Sequence, residues 1–136
     1  MSYFFKTEDI KTSRRAQLLN ITQDIKNFVS ENKIQNGTIT VYCPHTTAAI
    51  TVNEGADPDV SLDIENSLDK LIPWNWDYAH SEGNSAAHLK SSLVGCAQQL
   101  LVHDGNLVLG TWQAVYFCEF DGPRSRKYHI QGSNIS

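Results

Sequence analysis

The sequence has little cysteine, no long apolar run and no surplus of positive charge, and each shortage narrows what the protein can be. Cys43, Cys96 and Cys118 are an odd set without CxxC spacing. Such a set argues against a disulfide framework and suits a reducing, cytoplasmic compartment, where all three are expected to be small buried apolar residues. No stretch approaches the roughly 20 apolar residues needed to cross a bilayer. The N-terminal MSYFFKTEDIK carries charge where a signal peptide would be apolar, so no membrane association is expected. With 11 Lys and Arg against 15 Asp and Glu, the formal charge is -4. The two signs are interspersed, which gives no reason to expect a nucleic-acid partner and makes any phosphate chemistry local. Repeats, linkers and low-complexity segments are also lacking. The 136 residues read as one domain, 1–136, long enough to bury a core without staples.

What is present is mostly strand. FFKTEDIKT from Phe4 to Thr12 reads as an irregular first strand, and Arg15 to Ile21 as a second. Thr22 is a good N-cap ahead of Ile25, Phe28 and Val29 at helical spacing, and Asn36-Gly37 offers that helix a left-handed stop. TITVY from Thr38 and AAITVN from Ala48 are strands separated by CPHTT. Asp57-Pro58 starts a second helix whose stripe Val60, Ile64, Leu68 and Leu71 faces the core, leaving Asp63, Glu65, Asn66 and Lys70 largely off it; Pro73 ends it. Trp74, Trp76 and Tyr78 then alternate, as suits a core edge or a subunit contact. Asp104-Gly105 marks a hairpin and Gly110 a bulge in its returning arm, which continues as a long strand through Trp112, Val115, Phe117 and Phe120. Lys127 to Gln131 is the last strand, and Ser133 to Ser136 should fray. This order of elements predicts an α+β domain with mainly antiparallel sheet.

The candidate chemistry lies in imidazoles. YAHSEGNSAAHLKSSL, from Tyr78 to Leu93, holds His80 and His88, and a turn at Glu82-Gly83-Asn84 leads into a short helix with His88 near its start. Helical metal pairs usually stand four residues apart rather than eight, so the loop must close the gap. The ordinary alternative is two polar surface or core histidines. His45 lies with Thr46 and Thr47 between two strands, where a rigid sheet can present side chains, and Glu54 ends the second of them. His103, beside the hairpin turn, reads as an exposed strand end.

Three ordered blocks carry a resemblance: HTTAAITVNEGADPDV from His45, AHSEGNSAAHLKSSLVG from Ala79, and DGNLVLGTWQAVYFCEFDGPRSR from Asp104. Together they resemble the YjbQ family, also described as the secondary thiamine-phosphate synthase family. The resemblance implies a single-domain sandwich of two mainly antiparallel β-sheets with two main helices, assembled as a homotrimer. It also implies a metal or anion site of three histidines, which map to His45, His80 and His88, with His103 and His129 outside the motifs. Three neutral imidazoles with an open position suit a divalent metal, zinc above all. Around them Lys90 and Arg124 would neutralise a phosphate, Thr46, Thr47 and Asn84 would supply further contacts, and Glu54 would serve as general base or orienter. For Lys90 and Arg124 the plain alternative is surface charge or a structural salt bridge.

The implied activity joins a pyrimidine pyrophosphate to a thiazole phosphate, giving thiamine phosphate. No DDxxD-like cluster is present to hold a magnesium pyrophosphate, which fits a weak or side activity. Two other functions suit the same residues: a metal-assisted hydrolase at the three histidines, and a non-catalytic oligomeric module that binds a phosphorylated metabolite.

Overall fold

A computed structural model describes residues 1–135. In chain order the first elements are β1 (Ser2–Lys11), β2 (Gln17–Asn20), α1 (Thr22–Glu31), β3 (Gly37–Tyr42), β4 (Ala48–Glu54) and α2 (Pro58–Leu71). There follow α3 (Ser85–Val94), β5 (Ala97–His103), β6 (Asn106–Val108), β7 (Gln113–Glu119) and β8 (Ser125–Asn134). One sheet has five strands in the order β1-β8-β3-β5-β6, the other three in the order β2-β7-β4, and every pairing is antiparallel. The fold is an α+β sandwich. No helix among the described residues is long and apolar enough to cross a membrane.

The inner faces of the two sheets and the apolar face of α1 share one core, in which Ile25, Phe28, Ile39, Ile50, Phe117 and Tyr128 are essentially inaccessible. A second core lies on the far face of the three-stranded sheet, where Ala49, Ala114, Tyr116, Cys118 and Phe120 pack with Ala87 of α3. β7 is thus covered on both faces, and this explains why AVYFCE is a continuous buried run rather than an alternating one. The hairpin forms as expected: Asp104 and Gly105 take φ of 49° and 80°, the left-handed pair of a tight two-residue turn.

The short helix expected at His88 forms as α3, which at 10 residues is as long as α1 and has a buried stripe of Ala86, Ala87, Lys90 and Ser91. Several local expectations are corrected. Thr22 is the first helical residue and not the cap. Asn20 Oδ1 accepts from the Thr22 N–H, and Thr22 Oγ1 accepts from the Val115 N–H, tying α1 to β7. α1 stops at Glu31, with Lys33 taking the left-handed φ of 53°, so Gly37 is not its stop but the first residue of β3. Along α2 the stripe is only half-buried and Leu71 is 69% exposed, whereas Glu65 is buried against Arg14.

The returning arm of the hairpin is not one long strand. It breaks between Val108 and Gln113 and changes sheets, leaving Trp112 exposed. The first strand is regular, pairing with β8 over its whole length from Ser2 to Lys11. β8 itself runs on through Asn134, whose side chain accepts from the Gln35 and Asn36 N–H groups, so fraying does not begin at Ser133; Ser136 lies outside the described residues. Cys43 and Cys118 are buried as expected, but Cys96 is exposed.

Candidate functional site

α2 ends at Leu71, and the segment from Ile72 to Asn84 loops across to α3. Gly83, with φ of 80°, makes the turn that lets His80 fold back over the first turns of α3. As a result the His80 and His88 rings stand edge to face with centroids 5.5 Å apart. Eight residues of sequence separation have been closed by the loop. The two rings line an open pocket of about 420 Å³ with Tyr78, Ala79, Ser85 and Leu89. Tyr78 and Leu89 also wall an adjoining pocket of about 480 Å³ that includes Leu71, Pro73 and Trp76.

Asn84 sits at the N-terminal boundary of α3 without capping it through its side chain. Its Nδ2 donates to Asp121 Oδ2 at 3.0 Å, while its Oδ1 is buried and has no partner among the described residues. Arg124, half-exposed, reaches the same aspartate: Nε donates to the Asp121 carbonyl at 2.7 Å and Nη2 to Asp121 Oδ2 at 3.0 Å. Asn84 and Arg124 are therefore held together by Asp121 beside the N-terminal end of α3, where the first N–H groups have no intrahelical acceptors.

The remaining expected residues are placed elsewhere. His45 is held by the backbone of Lys127, with Nε2 3.0 Å from both its N and its O, and turns an edge to Phe117. It does not line the His80–His88 pocket. Burial and then the Arg126 guanidinium push its imidazole below the ordinary range, so it is neutral at pH 7. Among the described residues of one chain, no three His, Cys, Asp or Glu side chains gather as metal ligands. Within one chain, then, His80 and His88 meet and His45 stands apart from them.

Lys90 is fully buried, ion-paired with Asp69 of α2 and 5.9 Å from the centre of the Phe120 ring. It joins α3 to α2 and is not presented to a ligand. Thr47 is buried too, its hydroxyl and carbonyl both accepting from Arg126 Nη2, whereas Thr46 is exposed in the bend before β4. Glu54 folds onto its own loop, where Oε2 accepts from the N–H groups of Ala56 at 2.9 Å and Asp57 at 3.3 Å. That contact shapes the entrance to α2 and places no base beside the imidazoles.

Asp121, Glu119 and Arg126 did not stand out in the sequence. Glu119 is wholly buried and accepts from Arg126 Nε at 2.8 Å, Thr12 Oγ1 at 2.8 Å, the Phe120 N–H at 3.1 Å and the Asp121 N–H at 3.0 Å. Burial alone would raise its carboxyl, but the Arg126 hydrogen bond and the other donors hold it below the usual carboxylate range. Glu119 also links the Arg126–Thr47 contact, near His45, to Asp121 and hence to Asn84. A signal for Arg126 existed: Arg126, Tyr128 and Ile130 alternate, which puts the arginine on the inward face of β8.

A family model described as "UPF0047 protein YjbQ-like" matches residues 6–134. A UPF0047 protein of Methanocaldococcus jannaschii is 53% identical over 122 residues, covering 90% of this chain and 88% of that one. The UPF0047 protein YugU of Bacillus subtilis is 50% identical over 127 residues, covering 93% and 96%. Among solved structures, an uncharacterised conserved protein from Clostridium acetobutylicum matches with a TM-score of 0.93 at 50% identity, over 94% of this chain and 99% of that one. A YbjQ-like protein from Sulfolobus solfataricus keeps a TM-score of 0.94 at 29% identity, over 98% of each chain.

Proposed function

The chain belongs to the UPF0047 YjbQ-like family, and on that premise we propose that it is a metal- and phosphate-binding transferase of the secondary thiamine-phosphate synthase type. In this reading it works as a cytoplasmic homotrimer on phosphorylated small molecules, joining a pyrimidine pyrophosphate to a thiazole phosphate as a side activity. The observation that carries it is the His80–His88 pair, two imidazoles 5.5 Å apart in an open pocket at the N-terminal end of α3.

The donor set suits zinc in part. Two imidazoles would fill two of the three protein positions of an open tetrahedral site, and in this reading a His45 from another copy of the chain would be the third ligand. Held there, zinc would supply positive charge of the kind a pyrophosphate leaving group needs. The α3 N–H groups and Asn84 offer phosphate contacts on the same side, and Arg124, oriented by Asp121, keeps an Nη1 that makes no hydrogen bond among the described residues. Tyr78, Leu89 and Trp76 offer apolar walls for rings in the two adjoining pockets. Lys90 and Glu54, held in structural contacts, have no part in this reading.

The test pairs metal analysis with an assay, using protein purified without affinity tag or chelator. Zinc in the wild type, its loss in His80→Ala and His88→Ala, and thiamine-phosphate formation lost with it support the transferase. Folded wild type that takes up no metal counts against the site itself. A second reading has an observation of its own: among the described residues the pocket lining pairs the two imidazoles with Tyr78, Ala79, Ser85 and Leu89, and the Glu82 carboxylate, 3.8 Å from His80 Nε2, is solvent-exposed, as suits a binding module without turnover. Metal and phosphate binding that depend on His88, with equal background turnover in all three proteins, would favour that module.

A further inference from the structure

Cys43 follows the last residue of β3, and Cys96 precedes the first residue of β5. The register pairs Tyr42 with Ala97, and the Cys43 N–H donates to the Cys96 carbonyl at 2.7 Å, which extends the ladder by one step. The two cysteines are therefore directly opposed. Alternation puts Cys43 on the inward face with Ile39 and Val41, and Cys96 on that same face with Gln98 and Leu100. One sulfur is sheltered and the other open: Cys43 is 1% exposed, whereas Cys96 is exposed.

Opposed residues in a hydrogen-bonded antiparallel pair have Cα atoms about 5.5 Å apart, inside the range of roughly 4.4–6.8 Å that disulfides use. Their Cβ atoms, also about 5.5 Å apart, must approach by about 1 Å. Gly95, next to Cys96, has φ of 102° and nothing within 4 Å of the place a Cβ would occupy, so no neighbouring atom crowds that side of the chain.

We propose that Cys43 and Cys96 are a reversible dithiol–disulfide couple, oxidised by a small disulfide such as oxidised glutathione. The exposed Cys96 thiolate attacks one sulfur of the small disulfide, whose S–S bond breaks to release one small thiol. Cys43 then gives up its proton and attacks the Cys96 sulfur, displacing the second small thiol. One S–S bond is broken and one is formed; the protein loses two electrons and two protons, and the small disulfide gains them as two thiols. Such exposed, labile bridges are the regulatory kind in a reducing compartment. The bridge would lock the arm that leads to His45, two residues beyond Cys43, against the end of α3, which carries His88. Those segments already touch through Ser91 Oγ donating to the Ala48 carbonyl at 2.7 Å and the Ile50 N–H donating to the Gly95 carbonyl at 3.1 Å.

The experiment treats the intact protein with oxidised glutathione, alkylates the remaining thiols under denaturing conditions and maps the peptides by mass spectrometry. Wild type and Cys118→Ala should lose the mass of two hydrogens, yield a Cys43–Cys96 peptide and revert with dithiothreitol. Cys96→Ser should form no bridge, and Cys43→Ala should stop at a glutathione adduct on Cys96. Because the bridge closes a loop of roughly 50 residues, the oxidised wild type should melt roughly 7–14 °C higher than the reduced protein. A stable glutathione adduct on wild-type Cys96 without the internal bridge would overturn the proposal, as would a Cys96–Cys96 link between chains or unchanged thiols throughout.

Discussion

Replacing Arg126 with methionine should cost this fold more than almost any other single change outside the apolar cores. Arg126 is 7% exposed and its partner Glu119 is 0% exposed, so the carboxylate has no water to turn to when the guanidinium is removed. Glu119 would keep its bonds from Thr12 Oγ1 and the Phe120 and Asp121 N–H groups but lose its buried countercharge. Breaking such a pair from one side costs about 3–5 kcal/mol. For a chain of this length that lowers the melting temperature by about 10–17 °C. Thermal and urea unfolding of Arg126→Met, Glu119→Gln and the double variant would measure it, with the double variant recovering about 2 kcal/mol of the single loss because no charge remains buried.

The pH dependence supplies a second check on the same pair. In the wild type the folded carboxyl titrates below its ordinary 4.5, so the pair's contribution is complete above that value and is lost as the pH falls through the folded value. In Arg126→Met burial dominates and the carboxyl titrates above the ordinary value. The gap between the two proteins should then be widest near neutral pH and narrow towards pH 4. A drop in melting temperature under about 3 °C, or a double variant no more stable than Arg126→Met, would refute the reasoning.

Other expectations follow from single contacts. In Gly37→Ala the added Cβ would stand 1.8 Å from the Ser133 carbonyl oxygen, a backbone atom in the β3–β8 ladder. A loss of more than about 3 kcal/mol is expected, and near-normal urea stability would show that the ladder shifts without cost. Asp57→Ala removes the side-chain bond to the Asp59 N–H at the start of α2 and should cost about 1 kcal/mol, whereas Asp57→Asn should cost much less; equal losses would exclude capping as the cause. The His45 imidazole, followed by NMR, should titrate below 6.5 and move upward in Arg126→Met. Because its folded value is lowered, its contribution to stability is complete above 6.5 and fades as the pH falls below it. An unshifted His45 titration in the wild type would contradict this.

Local signals read well where the determinant is local. The Asp57-Pro58 helix start, the Asp104-Gly105 turn, the alternating TITVY strand and the AAITVN strand each formed as their residues require. Errors came where a distant partner decides. Thr22 looks like a cap but spends its hydroxyl on β7, and Glu65 lies off the apolar stripe yet is buried because Arg14 reaches it. Lys90 shows the same effect with a local hint: it sits three and four residues after Ala87 and Ala86, inside the buried stripe of α3, and Asp69 on another helix makes that burial tolerable.

By itself, the order and patterning of residues determined the class of fold and the Asp104-Gly105 turn, and it left His80 within reach of His88, since one short loop with a glycine turn joins them. Tertiary structure alone decided the rest of the site. It sent His45 to the backbone of β8, drew Lys90 and Thr47 inside, and tied Asn84 to Arg124 through Asp121. The physical reason is that a charged or polar side chain goes wherever a partner can offset the loss of water, and those partners lie far away in sequence on other strands and helices.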